Sequence, residues 1–217
     1  MAKTLYLTGD AAADTLLTED ANALLIGMVL DQQVPMEKAF GGPLEISRRM
    51  GGRLDVAAIA AADEDEFVAV CSERPAIHRF PGAMAKRVRS VCTVLVDQYD
   101  GRAENLWAEA DTGVEVVAAV RALPGFGPEK AQIFTALLGK QYGVTPPGWR
   151  EAAGAYGEDG VYRSVADIVD KDSLLRVRET KKAVKAERRA SAEKSAEKPA
   201  EQPADTFAAQ HTDPAQA

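Results

Sequence analysis

The nine residues LPGFGPEKA, Leu123 to Ala131, decide how the chain is read. One short helix-like apolar run, Val114 to Ala122, leads into them, and another, Ala131 to Leu138, leads out. Gly125 and Gly127 allow φ > 0 and expose backbone with no side chain in the way. Pro128 fits the first position of a helix, where a missing N–H costs nothing. The unpaired N–H groups of that helix's first turn then point outward beside those of the Gly turn. A helix N-terminus of this kind is an anion site, and successive N–H groups in a turn form a similar concave nest. A phosphate diester fits there, and Lys130 in the first helical turn can add a charge-assisted bond. Leu123, Ile133, Phe134 and Leu137 are expected to pack the two helices together. The same pattern also describes a plain αα-hairpin with a Gly-Pro turn.

Outward from the hairpin, the chain reads as a string of helices. Thr18, followed by Glu19 and Asp20, is the expected N-cap of the run ANALLIGMVLDQQ, which is apolar on nearly all sides and reads as a central core helix. LDVAAIAAADEDEFVAVCSE predicts two short helices broken near Asp63. From Pro81 to Asp100, Met84, Val88, Val91, Leu95 and Tyr99 recur at steps of three and four, one face of a long helix. Gly139 or Gly143 is expected to end the second hairpin helix. Leu5 to Thr8 is the only candidate for a short extended piece. From about Lys181 Ala, Glu, Lys and Pro take over. The first part of this tail can extend a helix, and disorder is expected beyond Ser191. The resulting division is a helical domain over 1–180 and a tail over 181–217.

Composition sets limits. The chain has 217 residues, 46% of them apolar and only 6% aromatic, which suits an all-α core better than a β-sandwich. No apolar run approaches the roughly 18 residues of a spanning helix, so no membrane association is expected. MAKTLYLTGD lacks the apolar core of a signal peptide. Cys71 and Cys92 are too few for a disulfide framework and read as buried free thiols. A cytoplasmic, reduced protein is expected, and a monomer.

Of 26 basic and 33 acidic residues, seven and six lie in the last 37, so the first 180 carry a net charge of −8. The overall field repels nucleic acid, and any polyanion contact has to rest on a local patch. One such patch is visible. Arg74, Arg79, Lys86, Arg87 and Arg89, with His78, span sixteen residues that contain no acid. A solvated helix face is the alternative reading of that island. His78 by itself reads as a surface or cap histidine. The tail, close to neutral over its whole length, reads as a solvated linker.

LPGFGPEKA resembles the helix-hairpin-helix element of the HhH-GPD superfamily of base-excision-repair DNA glycosylases, which includes the endonuclease III-like, adenine-mismatch and alkyladenine enzymes. ALLIGMVLDQQV, Ala23 to Val34, is similar to that family's early core helix and its glutamine-bearing loop. FPGAMAKRVRSVCTVLVDQYDG resembles the family helix that carries an early lysine, and VVAAVRALPGFGPEKAQIFTALLGKQYG follows with family-like spacing. The likeness covers about Leu24 to Gly143, and the order of motifs is similar to that of an actinobacterial-type subgroup. It implies a helix-hairpin-helix glycosylase-like fold and double-stranded DNA as partner, with nucleoid association when bound. It also implies extrusion of a damaged or mispaired base into a pocket and cleavage of its bond to the sugar. Gln32 and Gln33 then correspond to the glutamine that probes the vacated space, where an amide can hydrogen-bond an orphaned base without adding charge. Two polar residues finishing a helix before Pro35 would look the same.

The resemblance breaks at the catalytic positions. Bifunctional members place a nucleophilic lysine two residues beyond the second hairpin glycine. Here that residue is Glu129, and Lys130 lies about 100° further round the helix, so no Schiff-base lyase is expected. The family aspartate belongs in the stretch occupied by VTPPGWR, Val144 to Arg150, which holds no acid. Glu129, Glu151 and Asp31 are the candidate replacements. Glu129 can equally complement the helix dipole. Asp159 reads as a turn residue. Trp149 and Tyr156 either stack on an extruded base or pack the C-terminal segment, and packing is favoured. The four-cysteine loop of many relatives is missing, so no iron–sulfur cluster, metal or other cofactor is expected. The implied function is a DNA-binding repair protein, either a monofunctional DNA N-glycosylase or a non-catalytic lesion sensor that has lost the aspartate. The acidic body argues for a third reading, a protein-interaction domain.

Overall fold

Asp10 opens the first helix, α1 (Ala11–Glu19), by accepting hydrogen bonds from the amides of Ala12 and Ala13 at 2.9 and 3.0 Å. The structure, a computed structural model, describes residues 4–196, with side chains to 187. Thr18 does not cap the next helix. It lies inside α1, where its hydroxyl donates to Asp14 O at 2.7 Å and accepts from Leu5 N at 2.9 Å. Asp20 is the N-cap of α2 (Ala21–Leu30), accepting from the Asn22 and Ala23 amides. Asp20 is the residue that the chain leaves extended, at φ −125° and ψ 106°, so its carboxylate turns onto those amides. Every residue of α2 except Asn22 is buried, as expected for a helix apolar all round. Asn22 instead ties the core helix to a distant loop, donating to Gly101 O and accepting from Ala103 N at 2.7 Å.

α3 (Met36–Arg49) packs on α2. A Cβ at Gly27 would stand 2.6 Å from the Phe40 ring, so the glycine is what lets the two helices close up. α4 (Val56–Ala61) and α5 (Glu64–Ser72) are separated at Asp63, which caps α5, and both lie on α6 (Pro81–Tyr99). The stripe Met84, Val88, Val91 and Leu95 is buried, and Tyr99 is partly so. α7 (Asn105–Ala108) leads to α8 (Gly113–Arg121), which opens with a capping box of Thr112 and Glu115.

α8 and α9 (Pro128–Leu137) form the hairpin. Leu123, Phe126, Phe134 and Leu137 are buried between and below them. The second helix continues as a π-helical turn, Leu138–Tyr142, and stops at Gly143 with φ +78°. α10 (Trp149–Ala152) covers α8 and α9. A Cβ on Gly113 would meet Trp149 Cα at 2.2 Å, and one on Gly139 would meet the indole at 2.3 Å. Trp149 and Tyr156 therefore pack the C-terminal segment, and Tyr156 Oη donates to Glu129 Oε1 at 2.6 Å. A buried ion pair, Lys140 to Asp167 at 2.6 Å, ties the π turn to the short 3-10 turn Val165–Asp167.

The last helix, α11 (Lys171–Ala196), passes Ser191 and runs five residues further than the sequence reading allowed. Its Ala, Glu, Lys and Arg content favours helix locally even where little apolar surface is available to bury. The expected disorder beyond it falls on 197–217, outside the described residues. The chain divides into two units, Met1–Lys181 and Lys182–Ala217. The first holds α1 to α10 and the buried core. The second is described as the continuation of α11. The fold is all-α: among the described residues there is no strand, and Leu5 to Thr8 is irregular. Leu5 and Leu7 are buried, and Asp14 gathers the amides of Leu7, Thr8 and Gly9. No described helix is long and apolar enough to cross a membrane.

Candidate nucleic-acid interface

The hairpin turn is exposed. Gly125 lies at φ +84°, the left-handed region that favours glycine, and Gly127 is extended at φ −85°, ψ 175°. Only the first glycine therefore serves the turn through its freedom at φ > 0. The Phe126 amide closes the bend onto Leu123 O at 3.1 Å. The amides of Gly125, Gly127, Glu129 and Lys130 make no hydrogen bond to a described residue. They are the orphan donors of a helix start and of the turn before it.

Directly beneath the turn the structure assembles a cluster from three elements. Arg87, in the second turn of α6, lies flat against Gly125, where a Cβ would come within 2.4 Å of Arg87 Cδ. Its Nη1 donates to Gln32 Oε1 at 2.9 Å. Lys130, from α9, donates from Nζ to Val29 O, at the end of α2, at 3.1 Å, and lies 5.4 Å from the Phe126 ring centroid. Asp31, the C-cap of α2, shares this neighbourhood with Lys130. The sequence reading set Lys130 on the phosphate-facing side of the turn. Its ammonium is instead turned inward, because the carbonyls ending α2 attract a cation.

Burial acts on the two charges in opposite senses. It raises the Asp31 carboxyl above its ordinary value, against the pull of Lys181 and Lys130. It lowers the Lys130 ammonium to about 8, partly offset by Asp31 and reinforced by Arg87. Paired groups pushed toward each other in this way are a feature of sites that move protons.

The glutamines separate. Gln32 is structural: its amide donates to Val29 O and accepts from Arg87, and its carbonyl receives His78 Nε2 at 2.8 Å. Gln33 is exposed and sits at φ +56°, a strained position for a side chain of its size. His78 is buried, not on the surface. Its Nδ1 accepts from Phe80 N at 3.0 Å, so Nε2 carries the proton that bonds Gln32 O. Phe80, 46% exposed, follows on the same loop as His78 with Arg79 stacked on its ring at 4.6 Å. The sequence reading did not single out Phe80, although an aromatic before Pro81 at a helix start was there to be noticed.

The basic island is smaller in space than in sequence. Lys86 pairs with Glu64 at 2.6 Å, and Arg89 lies 4.0 Å from the same carboxylate. The acid comes from α5, which the linear count could not bring into view. Arg87 makes no ion pair with an acid among the described residues, and Arg79 is exposed. Of the other candidate acids, Glu129 is exposed and held by Tyr156. Glu151 is exposed on α10, with no ion pair to a described residue, and Asp159 is a turn residue paired with Arg150. None of these three joins the Asp31 cluster.

A cleft of about 490 Å³ lies elsewhere, between the π turn and the start of α11, lined by Lys140, Arg150, Asp159, Tyr162 and Arg176 among others. Among the described residues no group of three or more His, Cys, Asp and Glu side chains could hold a metal ion. No family model, curated protein or solved structure matches the chain.

Proposed function

We propose that this chain binds duplex DNA through the α8–α9 hairpin and belongs to the base-excision-repair type of the HhH-GPD superfamily. In this reading it acts as a monofunctional DNA N-glycosylase. The observation that carries the DNA contact is the exposed bend at Gly125 to Lys130, where the amides of Gly125, Gly127, Glu129 and Lys130 make no hydrogen bond to a described residue and against which Arg87 lies. A phosphate oxygen at the bend accepts from those N–H groups and lies within the field of Arg87, which supplies the local positive patch that the acidic body lacks. Gln33 and Phe80 lie on the two loops that His78 joins, and an exposed amide and aromatic ring are suited to probing and stacking on bases.

Asp31 is the acid we assign to the chemistry. The bond between the base and C1′ breaks as water's oxygen bonds to C1′. The water proton passes through the Asp31 carboxylate to the departing base. A carboxyl raised by burial is a stronger base than an exposed one, and its negative charge opposes the positive charge developing on the sugar. The positive charge of Lys130 favours the ionised form of Asp31.

The test is release of free base from a panel of lesion-bearing duplexes. Asp31→Asn is expected to lower the rate at least about 100-fold, at the lower end of what loss of a catalytic acid–base group costs. Glu129→Gln and Glu151→Gln are expected to stay within a few-fold of the parent. The acid-free stretch Val144 to Arg150 favours one second reading, a lesion sensor without catalysis. Salt-dependent duplex binding with no base released from any lesion selects it.

A further inference from the structure

The near-neutral sum of the tail conceals how its charges are arranged. Residues 176–189 hold seven basic and two acidic side chains, the densest positive run in an acidic chain. All of them fall within α11. Lys181, Lys182 and Lys185 are exposed, as is every residue from 181 to 187. The acids of the tail lie mostly further on, from Glu193 to Asp213.

The part of α11 that belongs to the first unit ends close to the candidate interface. Arg178 donates to Glu37, in the first turn of α3 just after the Gln32–Gln33 loop. Lys181 is close enough to act on Asp31, where its positive charge draws the carboxyl downward. From Lys181 to Ala196 the helix is about 22 Å long, a run of about six base pairs of duplex.

Resting on the DNA-binding reading above, we infer that the basic part of α11 is a second, sequence-independent contact to the DNA backbone, made by Lys181, Lys182 and Lys185. The partner's chemistry follows from what the helix lacks. Between 178 and 196 the only large apolar residue is Val184. A helix that lies in a membrane surface needs an apolar face, and a protein interface needs apolar or aromatic anchors at its centre. A polyphosphate needs neither, since lysine is a point charge suited to phosphate and releases counterions on binding. The body's net negative charge leaves room for such a contact, because the hairpin alone brings few cations to the duplex.

The experiment measures binding of the full chain to a labelled undamaged duplex of about 20 base pairs over a range of salt. Compared with it are Lys181→Gln/Lys182→Gln/Lys185→Gln, the matching triple Lys→Arg chain, and Gly127→Ala as a hairpin variant. Circular dichroism checks that helix content is kept, and vesicles of phosphatidylglycerol and phosphatidylcholine serve as the alternative polyanion. The triple Gln chain is expected to bind at least about tenfold more weakly at low salt. Its log–log salt slope should be smaller by about two to three, and the Arg chain should match the parent. Equal affinity and slope in the Gln chain, with Gly127→Ala weakened, overturns this inference and leaves the hairpin reading standing. No binding of the parent to duplex overturns both. Preference for the vesicles over the duplex overturns the inference in favour of a membrane surface.

Discussion

Beneath the hairpin the Lys130 ammonium has exchanged water for the Val29 carbonyl, with the Asp31 carboxyl near enough to act on it. Lys130 is held at about 8 instead of its ordinary 10.5, chiefly by burial. Between those two values the folded chain carries fewer protons than the unfolded one, so stability rises with pH across that window. We expect the denaturation midpoint to climb from pH 7.5 to pH 10 by more in the parent than in Lys130→Met, which cannot titrate there. An equal climb in both chains would count against a perturbed amine. Asp31 raises the Lys130 value, so Asp31→Asn should lower it below about 8, which amine NMR titration reads directly. Neither shift was legible beforehand. The sequence reading named Asp31 and Lys130 as candidates, but 101 positions separate Lys130 from the carbonyl it bonds, Val29 O. Gln32 and Gln33, adjacent and identical in type, could not be told apart until one was found locked by Arg87 and His78.

The helical elements were legible because their signals are local. The α6 stripe repeats at steps of three and four, Asp63 breaks and caps α5, and Pro128 begins α9. The hairpin's two glycines looked equivalent and are not. Gly125 sits at φ +84° with Arg87 against it, whereas Gly127 has ordinary φ and open space where a Cβ would go. Gly125→Ala is expected to destabilise the chain by about 1–3 kcal/mol. Gly127→Ala should leave thermal stability within about 0.5 kcal/mol of the parent, yet weaken duplex binding, because its methyl stands among the uncommitted amides. Equal affinity after Gly127→Ala would mean that the turn does not hold phosphate. Gly113 has a different constraint. Its missing Cβ is filled by the backbone of Trp149, which cannot rotate away, so Gly113→Ala should cost about 3 kcal/mol in a denaturant titration.

At the scale of the whole molecule, the charge balance sets the terms. A body of net charge −8 over its first 180 residues can approach DNA only where cations are concentrated. The second charge feature is internal. Lys140 and Asp167 face each other with side chains 11% and 4% exposed. Lys140→Met leaves Asp167 buried with its charge uncompensated, and about 3–5 kcal/mol of stability should be lost. A midpoint unchanged by that substitution would show the pair to be dispensable. By itself the amino-acid sequence determined the all-α class, the buried α2, the paired hairpin helices and the unbridged, buried Cys71 and Cys92, because propensity, capping and periodicity act within a few residues. Tertiary structure alone decided the rest. It set Glu64 against Lys86, laid Arg87 over Gly125 and turned Lys130 toward the end of α2. Each of these joins residues 22 to 101 positions apart, and the energy of such a contact depends on distance and burial in space, which no local pattern encodes.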